Sequence, residues 1–444
     1  MKRRGGKAGR AAVAAAAAMC AAALPGQAWA AGESGSYVFA DGIKQVRGAA
    51  TTSDAPRLAA GATYKDAIKG GGKLIYRVDL DAKTNAYVSA VAVPGAGSQV
   101  DLMDGLKVSL QDRDGYDCGS NESRFGSATY PRPIADYAHR TLEKDSSSCQ
   151  EAGSYYVVIE RTGKAASPGS WDLEIRHVLE PKPKTEGPTA APENWASASP
   201  APPAGGPRER PGGTSFFDAT GLAEGEWTDR IEPGRSRFYR VPVDWGQQIF
   251  ASADLGSSSG NGFVGSALAM TLFNPVQGVV SSTDSMSYDG KQKSAALDPL
   301  PPVRYENRYD SSSDFENTRF AGWYYLRVSL NPEVGEKFGK KPYGLTLRIN
   351  VKGTPQKAPA YDGPAGIFAV TQDDKEAAAS GQSAPEAEKS DTMKLVAAAG
   401  IGAGSVLVLG LGAWTLLARR RGAAADGGPA AREEPAQYGP PTSW

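Results

Sequence analysis

The chain has 444 residues, with 49 basic and 49 acidic, so its formal net charge is zero. That balance argues against the basic face that a nucleic-acid-binding surface requires. Two histidines in the whole chain are too few for a zinc site with ordinary ligand spacing.

Residues 1–30 read as a secretion signal. Lys2, Arg3, Arg4, Lys7 and Arg10 precede an Ala-rich stretch over 11–24, and Ala28-Trp29-Ala30 matches the small-x-small cleavage pattern. Gly5, Gly6 and Lys7 after Arg3-Arg4 favour general secretion over twin-arginine export. Cys20, preceded by the large Met19, belongs to the signal rather than to a lipidation site. The mature chain then begins near Ala31.

Two stretches of the following chain repeat each other in order. TYKDAIKGGGK (63–73) matches EWTDRIEPGRS (226–236), and KLIYRVDLDAKTNAYVSAVA (73–92) matches SRFYRVPVDWGQQIFASADL (236–255). LKVSLQDRDG (106–115) corresponds to LAMTLFNPVQG (268–278). AGSYYVVIERTG (152–163) corresponds to AGWYYLRVSLNP (321–332). SWDLEIRHV (170–178) corresponds to YGLTLRINV (343–351), which sets Asn350 in the place of His177.

Each segment alternates with a period of two, and Tyr, Val, Ile and Trp fit a pleated, half-buried surface. Tyr155, Val157 and Ile159 therefore share one face. Gly153 and Gly322 are expected to take positive φ where the chain turns into the Tyr-Tyr strand. Short strands separated by Gly, Pro, Asn and Asp predict an all-β fold, two tandem antiparallel β-sandwiches. Residues 119–150 and 279–320 read as long insertions. Cys118 and Cys149 lie outside any CxxC spacing in an oxidising compartment and predict one disulfide.

The repeated order of Tyr-x-Val, an L-x-L-x-D-x-x-G strand, A-G-x-Y-Y and a closing aromatic-x-L strand resembles the bacterial pre-peptidase C-terminal (PPC) domain. The second copy, with GGTSFFDA (212–219) and FYRVPVDWGQQ (238–248), is also similar to the region accompanying von Willebrand factor A domains in actinobacterial surface proteins. The resemblance implies jelly-roll-like sandwiches that act as accessory or binding modules.

The expected organisation is a first sandwich over 31–180, a Pro/Ala-rich linker over 181–213 and a second sandwich over 214–353. A disordered stalk over 354–393, a transmembrane helix over 394–418 and a cytoplasmic tail over 419–444 follow. Residues 395–418 carry no charge and suffice to cross ~30 Å of hydrocarbon. Arg419, Arg420 and Arg421 keep the tail inside and place both sandwiches on the outer side of a single span.

Candidate chemistry is sparse. Asp112, Asp114 and Asp117 around Gly115 could supply oxygen ligands to Ca²⁺, but a β-hairpin turn needs the same residues. No other cofactor is implied. Tyr305 and Tyr309 in RYENRYD (304–310) offer apolar area with polar tips for a sugar or protein. His139, near Tyr137 and Arg140, is the one histidine free for catalysis, but no G-x-S-x-G elbow accompanies it. These residues predict a membrane-anchored cell-surface protein, not an enzyme, that binds or adapts an envelope protein or polysaccharide. The alternatives are a hydrolase centred on His139 and a structural spacer in an envelope complex, the latter joined through Gly400 and Gly404.

Overall fold

The computed structural model describes residues 36–391, apart from 96, 144–145, 164–168 and 186, together with 411 and 413–415. The signal segment, Arg419, Arg420, Arg421, the tail, and all but four residues of the expected span lie outside the described residues. Among the described residues no helix is long and apolar enough to cross a membrane. The strands of both sequence copies belong to one compact unit, which begins at Tyr37.

The first copy folds as β1 (Lys44–Gln45), β2 (Thr63–Lys69), β3 (Lys73–Leu80), β4 (Thr84–Pro94), β5 (Gly105–Gln111), β6 (Asp117–Arg124), β7 (Ile134–Arg140), β8 (Gly153–Thr162) and β9 (Ser170–Pro181). Its two sheets have the orders β1-β2-β9-β4-β7 and β3-β8-β5-β6. The second copy folds as β10 (Pro207–Glu209), β11 (Thr220–Gly221), β12 (Gly225–Ile231), β13 (Ser236–Val243), β14 (Gln248–Leu255), β15 (Val264–Phe273), β16 (Val279–Tyr288), β17 (Lys293–Ala296), β18 (Gly322–Leu330) and β19 (Tyr343–Lys352). Its sheets have the orders β10-β12-β19-β14-β17 and β11-β13-β18-β15-β16. The fold is all-β, as the alternation predicts, and the duplication extends to the pairing pattern.

The supposed insertions are in fact sandwich strands. Residues 119–150 contain most of β6 and all of β7, and 279–320 contain β16 and β17; β6 and β16 are polar strands at sheet edges, whereas β7 is an edge strand that is largely buried. The repeat also starts earlier than the sequence match. Gly48 N–H and Tyr76 OH both donate to Asp66 Oδ2 at 2.7 Å, and Gly212 N–H (2.9 Å) and Tyr239 OH (2.6 Å) do the same to Asp229. In both copies the carboxylate clamps the lead-in segment over a buried tyrosine.

Tyr155, Val157 and Ile159 all lie in the first core, and Tyr324, Leu326 and Val328 in the second. The phenols of Tyr155 and Tyr324 donate to the carbonyl four residues upstream, Glu151 at 2.7 Å and Phe320 at 2.8 Å. The glycines before them differ. Gly322 has φ 135°, and a Cβ there would stand 2.3 Å from the Ile367 carbonyl, whereas Gly153 has no positive φ and nothing within 4 Å. One register also needs correction. Ile175 pairs with Tyr64 and Ala90, and Leu347 pairs with Trp227 and Ala253, so His177 corresponds to Ile349 and not to Asn350. His177 is 2 % exposed, with Nδ1 3.3 Å from the Leu58 carbonyl.

The two sandwiches are joined face to face by non-equivalent sheets. From the first copy come the outer residues Tyr87, Ser89, Val91, Ala135 and Tyr137; from the second come Phe238, Phe273, Tyr325 and Arg327, with Phe216 between them. The β15–β16 turn inserts into the joint, where Ser89 Oγ donates to Gln277 Oε1 at 2.7 Å. Tyr137 OH donates to Asn317 Oδ1 at 2.6 Å and accepts from Arg319 Nη2 at 3.0 Å. Tyr130 OH donates to the Ser329 carbonyl at 2.9 Å.

Residues 359–382, expected within a disordered stalk, strap this body instead. Tyr361 bridges Pro183 and donates to Glu180 Oε1 at 2.8 Å. Phe368 is fully buried, with its ring 5.9 Å from Tyr87 and 5.3 Å from Phe320. The helix Gln372–Ser380 is capped by Thr371, and Trp323 Nε1 donates to its Asp374 at 2.7 Å. A few apolar side chains at the right positions outweigh the Ala/Pro/Gly-rich composition that suggested disorder. Among its described residues the linker 182–206 has no regular element, yet Gln248 Nε2 donates to the Ala196 carbonyl at 2.8 Å and holds it down.

Candidate functional site

At the end of the body where β13 turns into β14, four separate segments enclose a groove of about 570 Å³. The β13–β14 turn sets its floor. Gly246 has φ 77°, and its N–H donates to the Val303 carbonyl at 2.8 Å. A Cβ at Gly246 would stand 2.4 Å from Gln356 Cγ, so only glycine lets the strap pass. Gln356 N–H closes that contact on the Trp245 carbonyl at 2.7 Å. Pro183 and Pro188 of the linker, Trp245, Arg304, Tyr305 and Gln356 are among the lining residues.

The short turn Tyr305–Tyr309 shapes the wall of this groove. Buried Asn307 pins it, donating from Nδ2 to the Pro302 carbonyl at 2.9 Å and to Thr318 Oγ1 at 2.7 Å. Arg308 then lies over both tyrosines, its guanidinium carbon 4.1 Å from the Tyr305 ring centre and 4.8 Å from that of Tyr309. It donates to both phenol oxygens, to Tyr309 at 2.6 Å. Burial, with Glu180 nearby, holds the Tyr305 phenol well above its ordinary pKa. Tyr309 is 36 % exposed. The structure therefore brings Tyr305 and Tyr309 together as the sequence suggests, with Tyr309 exposed and Tyr305 part-buried along the groove. Tyr305 packs edge-on to Tyr361, with ring centres 6.4 Å apart.

The other sequence candidates stand elsewhere. His139 lies on β7, packed against Gly119, where a Cβ would stand 2.8 Å from the ring. Its Nδ1 has no hydrogen-bond partner among the described residues, and burial, then Arg319, push its pKa down to about 3. Cys118 and Cys149 form the expected disulfide, with Cα atoms 5.8 Å apart.

The acidic turn is occupied with its own backbone. Asp112 Oδ1 accepts from the N–H groups of Asp114 and Tyr116, both at 2.9 Å, and Asp117 Oδ1 accepts from Gly119 N–H at 3.1 Å. Among the described residues no three His, Cys, Asp or Glu side chains gather as a metal-ligand group. The corresponding turn of the second copy, FNPVQG, is the one buried in the joint. That placement accounts for its lack of aspartates, since unpaired carboxylates are costly to bury.

Trp245, Arg304 and Gln356 escaped the sequence reading because their relevance depends on three distant segments meeting. Gly246, inside the FYRVPVDWGQQ motif, is the signal that could have marked the spot, since a glycine in a strand-to-strand turn often permits close approach of another backbone.

No family model matches this chain, and no curated protein matches it. Among solved structures, it is similar to a triple jelly roll protein from an archaeal virus turret, with 9% identity over 65% of this chain and 53% of that one and a TM-score of 0.17; it spans about half the length of that chain. It is similar to a tandem of family 22 carbohydrate-binding modules from Paenibacillus barcinonensis, with 12% identity, 67% and 93% coverage and a TM-score of 0.18. It is also similar to tandem family 51 carbohydrate-binding modules of a Streptococcus pneumoniae glycoside hydrolase, with 9% identity, 67% and 85% coverage and a TM-score of 0.19. At these scores the likenesses carry no argument about function.

Proposed function

We propose that this chain is a membrane-anchored binding protein of the outer cell surface, built from two PPC-like sandwiches, that recognises an envelope polysaccharide or protein segment in the groove beside Tyr305. The observation that carries this reading is the groove itself. It falls within the ~300–1,000 Å³ range of ligand sites and combines proline walls, aromatic side chains and the opposite charges of Arg304 and Glu306. An extended chain with hydroxyl or amide groups fits such a lining better than a compact apolar ligand. The turn Tyr305–Tyr309 is anchored by buried Asn307, so the wall is pre-formed.

Retention tests the reading. Full-length protein in detergent should bind a washed cell-wall polysaccharide fraction or a membrane-protein fraction, and the double substitution Arg304→Ala with Glu306→Ala should weaken retention at least several-fold. Equal retention of both proteins, or none by either fraction, refutes the groove as the binding site. Both side chains are only part-buried, so the variant retains its fold.

A further inference from the structure

The chain leaves the described body at the same end as the groove. Strands β9, β13 and β19 finish at this end, and their pairing partners β4, β18 and β14 begin there. The strap is docked across it. Gln356 N–H meets the Trp245 carbonyl, Tyr361 meets Glu180, and Lys375 Nζ stands 3.8 Å from Asp244, the residue before Trp245. From Asp374, held by Trp323, the helix Gln372–Ser380 runs away until Arg210 donates to the Ala379 carbonyl at 3.1 Å. Gly381, with φ 81°, then reverses the chain, and Ser383 N–H donates to Glu386 Oε2 at 2.8 Å at the start of the helical residues 384–391. Asp373 and Ala377 of the outgoing helix and Ala387 and Asp391 of the returning one line a single cavity of about 440 Å³. The return leg is nearly as long as the outgoing one, so Asp391 comes back beside Asp373, at the groove end.

The uncharged run begins at 395. Four fully extended residues reach at most ~14 Å. With that run in a bilayer, the groove end of the body is the end that faces the lipid. Leu102, 48 % exposed between the far end of β4 and the start of β5, marks the opposite end. The groove lining bears on its occupant. Arg304 and Lys357 stand with Glu306, a mixed set rather than the clustered cations that anionic headgroups attract. Trp245 is 3 % exposed, and its indole N–H has no hydrogen-bond partner among the described residues. Buried donors are ordinarily paired, and peptide carbonyls are acceptors of the required kind.

We infer that the groove is membrane-proximal and that its occupant is an extended extracellular segment adjoining the span of another membrane protein. A wall polymer approaches the body from its outer end, where Leu102 lies, whereas a segment emerging from the same bilayer meets the groove directly. Proline walls and aromatic rings suit an extended backbone. Its carbonyls offer acceptors to the indole, and its charges match Arg304, Glu306 and Lys357. The inference rests on the anchored reading and the groove reading above, and it chooses between the two ligand classes named there.

The test uses the full chain in nanodiscs of phosphatidylcholine and phosphatidylglycerol, with a donor dye on Lys357→Cys or Leu102→Cys and acceptor-labelled headgroups. Energy transfer at 357 should exceed that at 102 several-fold, and equal or weaker transfer at 357 overturns the orientation. In cells, the photoreactive amino acid benzoylphenylalanine at position 357 should cross-link to a peptide directly adjoining a membrane span of a second protein. At position 102 it should not. Cross-links at 357 only to lipid, to wall polymer or to peptides remote from any span overturn the assigned partner, as does the absence of any cross-link. These failures leave the groove reading standing where Arg304→Ala with Glu306→Ala still weakens retention by the polysaccharide fraction. Retention unaffected by that variant overturns the groove itself, and failure of the chain to enter nanodiscs overturns the anchor.

Discussion

Glu174 sits 4 % exposed on the joint face of β9, and replacing it with glutamine should remove a specific part of the protein's pH dependence. Burial pushes its pKa up from 4.5 to about 7, opposed in part by Arg176 and the Tyr37 hydroxyl. Its Oε2 has no hydrogen-bond partner among the described residues. A carboxyl whose folded pKa exceeds its unfolded pKa gives its full stabilisation below pH ~4.5, where both states are protonated. As pH rises from there to about 7 the unfolded chain ionises first and stability falls. Above that range the loss is constant, and its size is ~3 kcal/mol at 1.36 kcal/mol per pKa unit.

The wild-type curve alone does not isolate this effect. Asp136, also pushed up to about 7 by burial, adds to it. His139, pushed down to about 3, acts oppositely, because its stabilisation is lost as pH falls below its unfolded value. The difference between wild type and Glu174→Gln cancels both. Denaturant midpoints of the two proteins should coincide near pH 4 and diverge between pH 5 and 7, with the variant more stable by ~3 kcal/mol at pH 8. A difference that stays flat across this range would refute a buried carboxyl with an unpartnered oxygen in the joint.

Four other variants probe the joint, the lead-in clamp and the staple. Phe216→Ala removes a ring packed edge-on to Phe238, Phe273 and Tyr325 at 5.0–5.3 Å, and calorimetry should show a loss of ~3–5 kcal/mol. Gly212→Ala would place a Cβ 2.6 Å from the Tyr239 ring, costing ~1–3 kcal/mol by overpacking. Gly48→Ala should repeat that loss in the first copy, where Tyr76 lies 2.8 Å away. Replacing Cys118 and Cys149 together with serine opens a loop of sequence separation 31. Denaturation should show a loss of ~3–4 kcal/mol, and a free-thiol assay of the unmodified chain should find neither thiol.

The strands and the disulfide were legible in the sequence because alternation and cysteine spacing are local signals. Tyr155 and Tyr324 reach the core as their period requires. The joint was not legible. Tyr87, Val91 and Ala135 read as one more alternating surface, and nothing local reveals that this surface meets Phe238 and Phe273. The strap was missed for a related reason, since Tyr361 and Phe368 are isolated aromatics in a segment whose average composition suggests disorder. Of the candidate site, Tyr305 and Tyr309 were legible as an aromatic pair. Arg308 between them, and the groove that Trp245 and Gln356 help to close, depend on contacts across the whole second copy and the strap.

A joint between non-equivalent sheets would, if repeated, build an open array, because the face used by each copy differs from the face it offers next. The exposed sheet of the first copy is altered at the positions that matter. Register places Gln111 where the second copy has Phe273, Ile75 where it has Phe238, Lys107 where it has Ala269 and Glu160 where it has Ser329. Phe273, Phe238 and Ala269 are each no more than 1 % exposed in the joint. Putting Lys107 and Glu160 at such positions would bury charge, at a cost of several kcal/mol for each. The first sandwich thus carries a polar terminal face, as end repeats of stacked proteins require, and the second carries the apolar one. The same divergence places the acidic turn Asp112–Asp117 in solvent and its counterpart Asn274–Gly278 inside the joint. Duplication supplied two similar sandwiches, and these substitutions end the stacking at two.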